Sequence, residues 1–256
     1  QAIERRAKND IAVTDADFPI SRSYIAMLSE TGATPVVQSK WFATVVVESP
    51  DSTVAEQLQQ LAIVDSVKWI WKGNLRVPAE EKREDRFVSE DEPLHNEYGY
   101  SYKQIKMLNG TKLHEAGFRG EGMRVAVIDA GFMNADRVSA FDSLRLLGTH
   151  NVVFPGKSVF VGDDHGTKVL SCLAADIPGV MVGTAPKASY LLLKSEDSDS
   201  EYPVEEDYWT AAVEYADSAG VDVISSSLGY FAFDTDELSY DQDALDGRTA
   251  MISRAA

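Results

Sequence analysis

The sequence predicts an α/β domain, built on a mainly parallel sheet flanked by helices, that follows a small α+β domain. From Tyr98 onward, short apolar strands bounded by turn residues alternate with helical segments, an order typical of parallel sheets. Before that, the chain offers two helical and two strand-like segments. Crowded charges and two prolines, typical of an exposed and protease-sensitive linker, separate the two patterns. We therefore expect a domain at 1–76, a linker at 77–97 and a second domain at 98–256.

The first domain is predicted from two helices and two strands. "SRSYIAMLSETGA" has apolar residues at helical spacing with Gly32 as a stop, and "STVAEQLQQLAIV" has similar spacing behind a Ser-Thr cap. "TPVVQSKWFATVVVESP" is rich in Val, Thr and aromatic residues, which predicts a strand closed by Pro50. Val67, Trp69 and Trp71 alternate in the next segment and predict another strand, with the tryptophans in the core or at a domain interface.

The second domain is predicted to alternate strands and helices. "MRVAVIDAGF" is an apolar run bounded by turn residues, as expected of a strand buried on both faces of a parallel sheet. Further strands are expected at 151–154, 188–195 and 221–229, and helices in "GTKLHEAGFRGEG", from His165 to Ala175, at 204–220 and in "DALDGRTAMISRAA".

Composition narrows the possible partners. The 256 residues are 44% hydrophobic and 25% charged, which is ordinary for a globular protein. The net charge of −17 argues against a nucleic-acid partner and against anionic membrane surfaces, and no apolar run reaches the length of a membrane span. The single cysteine, Cys172, excludes an internal disulfide framework. Because it lies in the apolar run "VLSCLAA", we expect a buried thiol.

Two residues of the second domain form a candidate acid–base pair. Asp129 ends the strand "VAVID", and functional residues of parallel sheets collect at the carboxyl ends of strands. His165 opens a helix in "DDHGTKV". An aspartate that accepts a hydrogen bond from one imidazole nitrogen fixes the tautomer, so the other nitrogen is free to act as a general base.

The motifs around this pair resemble those of the subtilisin-like serine proteases. "VAVIDAGF" at 125–132 and "HGTKVLSCLAA" at 165–175 are similar to the first two signatures of that family, and the 36 residues from the Asp to the His fit its spacing. "VMVGTAPKASYLLLKS" and "VDVISSSLG" are similar to the core strands that follow in the family. Four matches in the same order over roughly residues 98–230 carry the resemblance.

The resemblance implies an endopeptidase that hydrolyses polypeptide substrates with an Asp-His-Ser triad. In it, Asp129 orients the imidazole and His165 is the base. Ser227, Leu228 and Gly229 present backbone that pairs with an extended substrate. Ala130 stands where the family usually has Ser or Thr, which removes one local hydrogen bond. The family also implies a secreted, periplasmic or cell-envelope location.

The first domain resembles the propeptide of the same family. The likeness rests on the arrangement of a small α+β unit before a linker and on the phrase "TGATPVVQSKWFATVVVE". Propeptides of this family assist folding of the protease and inhibit it by placing their C-terminal tail in the cleft. The catalytic domain is therefore an expected partner of the first domain.

The remaining parts of the triad site are not found in the sequence. The family carries the nucleophile in Gly-Thr-Ser and the oxyanion Asn in Ser-Ala-Gly-Asn, and neither phrase occurs in the 256 residues. Ser-Ala-Gly at 218–220 is followed by Val221, and Ser225, Ser226 and Ser227 belong to the substrate-binding strand. We expect the nucleophile in a missing C-terminal half of the protease, with this zymogen fragment inactive alone.

A non-catalytic function and a bound calcium ion stay open as alternatives. A non-catalytic relative would keep the fold as a binding or regulatory module, although the presence of both Asp129 and His165 favours the protease. No metal or cofactor is expected in the catalytic site. The acidic segment 195–207 offers carboxylates that calcium favours, but it lacks a recognised calcium-loop spacing, which favours a solvated loop leading into an acidic helix N-terminus.

Overall fold

The computed structural model describes residues 2–71 and 96–256. The helices are α1 (Ala2–Lys8), α2 (Arg22–Glu30), α3 (Val54–Gln59), α4 (Tyr102–Met107), α5 (Gly110–Glu115), α6 (His165–Ala174), α7 (Val204–Ala219) and α8 (Met251–Ala255). The strands are β1 (Thr34–Ser39), β2 (Thr44–Glu48), β3 (Arg124–Asp129), β4 (Arg145–Asn151), β5 (Asp176–Ile177), β6 (Met181–Val182), β7 (Ser189–Lys194) and β8 (Val223–Ser226). Short 3-10 turns lie at Asp15–Asp17, Ser139–Phe141, Asp236–Leu238 and Gln242–Ala244.

The central sheet has the strand order β4-β7-β3-β8, and all three neighbouring pairs are parallel. β3 and β7 are the inner strands, and their side chains are almost all buried because both faces of the sheet are covered. In the register, Lys194 of β7 pairs with Asp129 of β3 on one side and with Asn151 of β4 on the other. The predicted α/β class with a mainly parallel sheet is confirmed.

One face of the sheet carries the main apolar core. α6 packs on β3 through this core, and Phe132, Leu170, Tyr190 and Leu192 are completely buried in it. Truncation of one such side chain costs about 2–5 kcal/mol, so the core holds α6 firmly against the sheet. This packing matters for the site because one candidate residue, Asp129, ends β3 and the other, His165, begins α6.

The small α+β module of the first domain is confirmed in composition but not in detail. β1 and β2 form an antiparallel hairpin rather than the single long strand predicted for "TPVVQSKWFATVVVE". The turn between them, 40–43, contains neither Gly nor Pro, and Ala43 itself takes a positive φ of 53°. Because three of the four turn residues, Trp41, Phe42 and Ala43, are apolar or aromatic, the sequence shows no sign of a break between the two strands. The buried core of this module is formed by Leu28, Ala33, Val54 and Leu58.

Two further strand predictions are wrong. Residues 66–71 form no strand, and Trp69 is 57% exposed instead of lying in a core or interface. Trp71 is half-buried and meets Tyr202 edge to face, with ring centroids 6.2 Å apart. The strand expected at 151–154 lies earlier, at Arg145–Asn151. It is an edge strand with several exposed side chains, so it lacks the apolar run by which buried strands are recognised.

The described residues divide into two compact units. One comprises 2–71, 199–218 and 229–256, and the other comprises 96–198 and 219–228. The first unit thus contains nearly all of α7 as well as the N-terminal module. The boundaries expected from the sequence stay a prediction, and the linker 77–97 lies outside the described residues except for its last two positions.

Candidate active site

Asp129 is the last residue of β3 and is completely buried. The strand delivers it because "VAVI" fills the interior and leaves the acid at the carboxyl edge of the sheet. The main-chain oxygen of Asp129 accepts the Ser195 N–H at 3.1 Å, so the ladder with β7 continues one residue beyond the strands. The carboxylate therefore starts from a rigid backbone.

His165 is the first residue of α6, and its N–H donates to the Asp163 carboxylate at 2.7 Å. Gly166 allows the helix to approach so closely. A Cβ at that position would lie 2.5 Å from the Gly131 oxygen and 2.8 Å from the Cβ of Asp129. Only glycine fits there without displacement of the strand end, which explains why His-Gly opens the helix.

The two candidate residues are hydrogen-bonded to each other. Nδ1 of His165 lies 2.7 Å from Oδ1 of Asp129, and the N–H of Ala130 donates to the same oxygen at 2.8 Å. A carboxylate partner favours the proton on Nδ1, which leaves Nε2 as the basic nitrogen. The His165 side chain is 50% exposed, so the ring is fixed on one edge and accessible on the other.

Charge and burial shift the ionisation of both groups. The hydrogen bond to Asp129 raises the pKa of His165 above its ordinary value of 6.5. Burial raises the pKa of Asp129, while the hydrogen bonds from His165 and Ala130 oppose that shift. Because the folded-state pKa of His165 is raised, the contribution of His165 to stability is fully present below its ordinary value of 6.5 while Asp129 stays ionised, and it is lost as pH rises through the raised value.

Ala130 supplies only a backbone donor to the aspartate. Among the residues that the structure describes, none donates a hydrogen bond to Oδ2 of Asp129, although that oxygen is buried. A side chain with a hydroxyl group at position 130 is one way to provide such a donor. The aspartate is therefore held through Oδ1 alone, by one ring nitrogen and one peptide N–H.

The loops that flank the pair are tied to each other. Met133 donates its N–H to the Asp163 oxygen at 2.9 Å, and the Thr167 hydroxyl donates to the Met133 oxygen at the same distance. A Cβ on Gly131 would lie 2.8 Å from the Asp163 oxygen, so these two loops touch directly. The 131–133 turn and the start of α6 thus form one connected piece of backbone.

The structure adds Lys194, which sequence reasoning missed. This lysine ends β7, is only 7% exposed, and donates a hydrogen bond from Nζ to the Ala130 oxygen. The only signal in the sequence is a charged residue at the end of the apolar run "YLLLK". A terminal lysine of that kind is usually exposed, so the pattern gave no warning.

The predicted substrate-binding residues follow β8 directly. Ser227 and Leu228 come directly after Ser226, the last residue of the strand, and are exposed and half-buried respectively. Gly229 is exposed and belongs to the other compact unit. β8 is an edge of the described sheet and pairs there with β3. The role of 227–229 in substrate binding stays a prediction.

One further prediction concerns Cys172, and one further histidine, His114, is buried outside the site. Cys172 is exposed, so the expectation of a buried thiol is wrong. The buried face of α6 is taken by Gly166, Leu170 and Ala174, and Cys172 lies two residues away from that spacing. His114 is buried, and its Nε2 donates a hydrogen bond to the Thr184 oxygen at 2.9 Å.

A buried strand-end aspartate bonded to a half-exposed histidine can orient the imidazole for proton transfer. Comparison with known proteins specifies the class. Residues 1–89 match the peptidase S8 propeptide domain family of Bacteroidota. Subtilisin E of Bacillus subtilis (strain 168) is 32% identical over 147 residues, which cover 56% of this chain and 36% of that protein.

Further relatives agree. The major intracellular serine protease of Bacillus subtilis (strain 168) is 31% identical over 133 residues, 49% of this chain and 40% of that protein. Fervidolysin from Fervidobacterium pennivorans, a keratinolytic enzyme related to subtilisin, shares the fold with a TM-score of 0.54 and 15% identity, over 92% of this chain and 36% of that one. The chain is therefore similar to subtilisins in sequence and fold, and its first 89 residues match a peptidase S8 propeptide family. It spans about two fifths or less of these relatives' lengths.

Proposed function

We propose that this chain is the propeptide and the acid–base half of a subtilisin-like serine endopeptidase zymogen. The observation that carries the proposal is the 2.7 Å hydrogen bond between His165 Nδ1 and the buried Asp129 carboxylate. A histidine oriented in this way keeps Nε2 available at an accessible surface, which is what proton transfer from a serine requires.

The proposed reaction is hydrolysis of a peptide bond in a polypeptide substrate. Nε2 of His165 takes the proton of a serine hydroxyl while its oxygen attacks the carbonyl carbon, and the imidazolium that forms is stabilised by Asp129. The imidazolium then gives the proton to the leaving amine, and water repeats the sequence to release the acyl group. Backbone at Ser227, Leu228 and Gly229 pairs with the extended substrate.

The nucleophile is proposed to lie outside the 256 residues. None of the four Gly-Thr pairs in the sequence is followed by Ser, and no Ser-Ala-Gly-Asn occurs. The relatives are at least twice as long as the matched part of this chain, as their coverage of 36–40% shows. We therefore propose that this chain is inactive alone and needs the C-terminal half of the protease.

The N-terminal module is proposed to act as a folding aid and inhibitor of the catalytic domain. Its support is an anchoring contact on α7. The buried Glu214 carboxylate accepts the Ser39 hydroxyl at 2.5 Å and the N–H groups of Lys40 and Trp41 at 3.0 and 3.1 Å. One α7 carboxylate thus accepts hydrogen bonds from three donors of the β1–β2 turn, which fixes the position of that turn on the helix.

The test uses a longer form of the protein that includes the sequence after Ala256. It is treated with a serine-directed fluorophosphonate and a peptide substrate, and we expect labelling and hydrolysis after propeptide removal. His165→Ala should reduce both by at least about a thousand-fold, whereas His150→Ala, outside the pair, should leave them unchanged. The 256-residue chain itself should not be labelled, and a label at 225–227 would contradict the proposal.

The alternative is a binding or regulatory module with the same fold. It predicts that the longer protein binds peptides without hydrolysing them and without fluorophosphonate labelling. Retention of both Asp129 and His165 in bonded geometry favours the protease, because binding alone needs neither ionisable group. The same experiment separates the two proposals.

Location and cofactors complete the proposal. None of the helices in 2–71 and 96–256 combines the length and apolar character needed to cross a bilayer. We propose a secreted, periplasmic or cell-envelope protein, which fractionation of producing cells tests directly. The proposed chemistry uses no metal or cofactor, and calcium at 195–207 stays a prediction that calorimetric titration tests.

A further inference from the structure

We propose that Lys194 is a positioning residue of the Asp129–His165 pair, acting through the Ala130 peptide; the inference rests on the proposed function. The observation is that Nζ of Lys194 donates a hydrogen bond to the Ala130 oxygen. Ala130 is also the residue whose N–H donates to Oδ1 of Asp129. Its two flanking peptide groups are therefore each fixed by one polar contact.

The geometry restricts the backbone torsions of Ala130. If the Ala130 oxygen were free, the residue could rotate and carry its N–H away from the carboxylate. That N–H is one of two donors to Oδ1, and no described residue donates to Oδ2. A carboxylate with so few donors depends strongly on each of them.

The next peptide along the chain sets how closely the strand end and the helix approach each other. The Gly131 oxygen, which belongs to the 131–132 peptide, lies where a Cβ on Gly166 would be only 2.5 Å away, so a shift of the neighbouring Ala130 carbonyl would be carried to the first turn of α6. His165 is part of that turn. Lys194 therefore acts on both members of the pair, on Asp129 through the Ala130 N–H and on His165 through the Gly131 oxygen.

The cost of placing a lysine here argues for a specific role. Lys194 is 7% exposed at the end of a strand whose preceding residues, Leu191, Leu192 and Leu193, are also buried. A buried ammonium group is costly unless it is hydrogen-bonded, and an apolar side chain of similar length would fill the same space without that cost. The presence of a lysine at this position is thus better explained by the hydrogen bond that its ammonium group donates than by packing.

The experiment measures the pKa of the His165 imidazole by NMR in the 256-residue chain and in Lys194→Met. Met keeps the length and apolar packing of the side chain but has no donor. We expect the pKa of His165 to fall by about half a unit or more, because the carboxylate is held less firmly against the ring. Lys194→Arg, which keeps a donor, should restore most of the shift.

The sign of the shift distinguishes positioning from a simple charge effect. Removal of a nearby cation by itself favours protonation, so a pure charge effect would raise the pKa of His165. A rise, or no change, in folded Lys194→Met overturns the proposal. The control is Lys187→Met, which removes a lysine bonded to Asp176 at 2.5 Å just before the same strand and should leave His165 unaffected.

Two measurements keep the test decisive. If Lys194→Met does not fold, the wild-type ammonium protons of Lys194 must be protected from exchange with water, and their rapid exchange would overturn the proposal. Asp129→Asn separates this inference from the proposed function. If Asp129→Asn leaves the pKa of His165 unchanged, the acid–base pair itself fails; if it lowers that pKa but Lys194→Met does not, only the role of Lys194 fails.

Discussion

Replacement of Glu214 by alanine should detach the β1–β2 turn from α7. The Glu214 carboxylate is 6% exposed and accepts three hydrogen bonds, from the Ser39 hydroxyl and from the N–H groups of Lys40 and Trp41. Bonds to charged groups are worth about 1.5–3 kcal/mol each, and a donor left buried without a partner costs about 1–3 kcal/mol. Because the three bonds share one acceptor group, their contributions do not add fully. We expect a loss of about 3 kcal/mol.

The loss can be measured at the contact itself. Native-state hydrogen exchange of the Lys40 and Trp41 amides should accelerate by about two orders of magnitude, since each 1.4 kcal/mol corresponds to a factor of ten. Urea unfolding of the first unit should shift in the same direction. Glu214→Gln, which keeps an acceptor oxygen, should show an intermediate effect, and the exposed Glu237→Ala should show none.

Two results would show that Glu214 does not anchor the β1–β2 turn. If the Lys40 and Trp41 amides exchange freely in the wild type, or if Glu214→Ala changes their exchange by less than about 0.5 kcal/mol, the carboxylate does not anchor the turn. The support that this contact gives to the propeptide role would then be lost. The acid–base pair, which lies in the other unit, would be unaffected.

Two further outcomes are expected. Burial, with repulsion from Glu206, raises the pKa of Asp207 to about 7, so the folded state holds a proton that the unfolded state releases, and stability falls as pH rises from about 4 to 7. Asp207→Asn should remove this loss and stabilise the protein above pH 7 by up to about 4 kcal/mol, with no gain near pH 4. The control variant, Asp243→Asn at an exposed position, should give no gain. Equal pH profiles for Asp207→Asn and the wild type would contradict this expectation. Gly166→Ala should cost about 2 kcal/mol or more in thermal unfolding because its Cβ would meet backbone at 2.5 Å. The control variant Gly148→Ala, whose Cβ would make an ordinary 3.8 Å contact, should be tolerated. Similar costs for the two variants would show that the close approach at Gly166 is not required.

The contact between Asp129 and His165 was predictable because its signal is local. Asp129 follows four apolar residues and His165 precedes Gly-Thr, so each residue is marked by its own neighbours, and parallel-sheet topology brings strand ends to one edge. The inner strands β3 and β7 were predictable for the same reason. Burial on both faces produces continuous apolar runs that the sequence displays openly.

The features that escaped prediction depend on contacts that are distant in the chain. β4 is an exposed edge strand without an apolar run, and the turn of the first hairpin uses Ala43 at positive φ instead of glycine. Lys194 is buried where a carbonyl 64 residues away in the chain accepts its hydrogen bond, and no local sequence pattern reveals such a partner. Cys172 shows the reverse error, since an apolar neighbourhood on a helix does not say which face a residue takes.

The central claim is that Asp129 holds His165 as a general base, and the His165 imidazole tests it most directly. NMR titration of the wild-type chain should show a proton on Nδ1 in the neutral ring and a pKa above 6.5, and Asp129→Asn should lower that pKa by about one unit, less than a fully buried pair would give because the ring is half exposed. A neutral ring protonated on Nε2, or the same pKa in wild type and Asp129→Asn, would contradict the account.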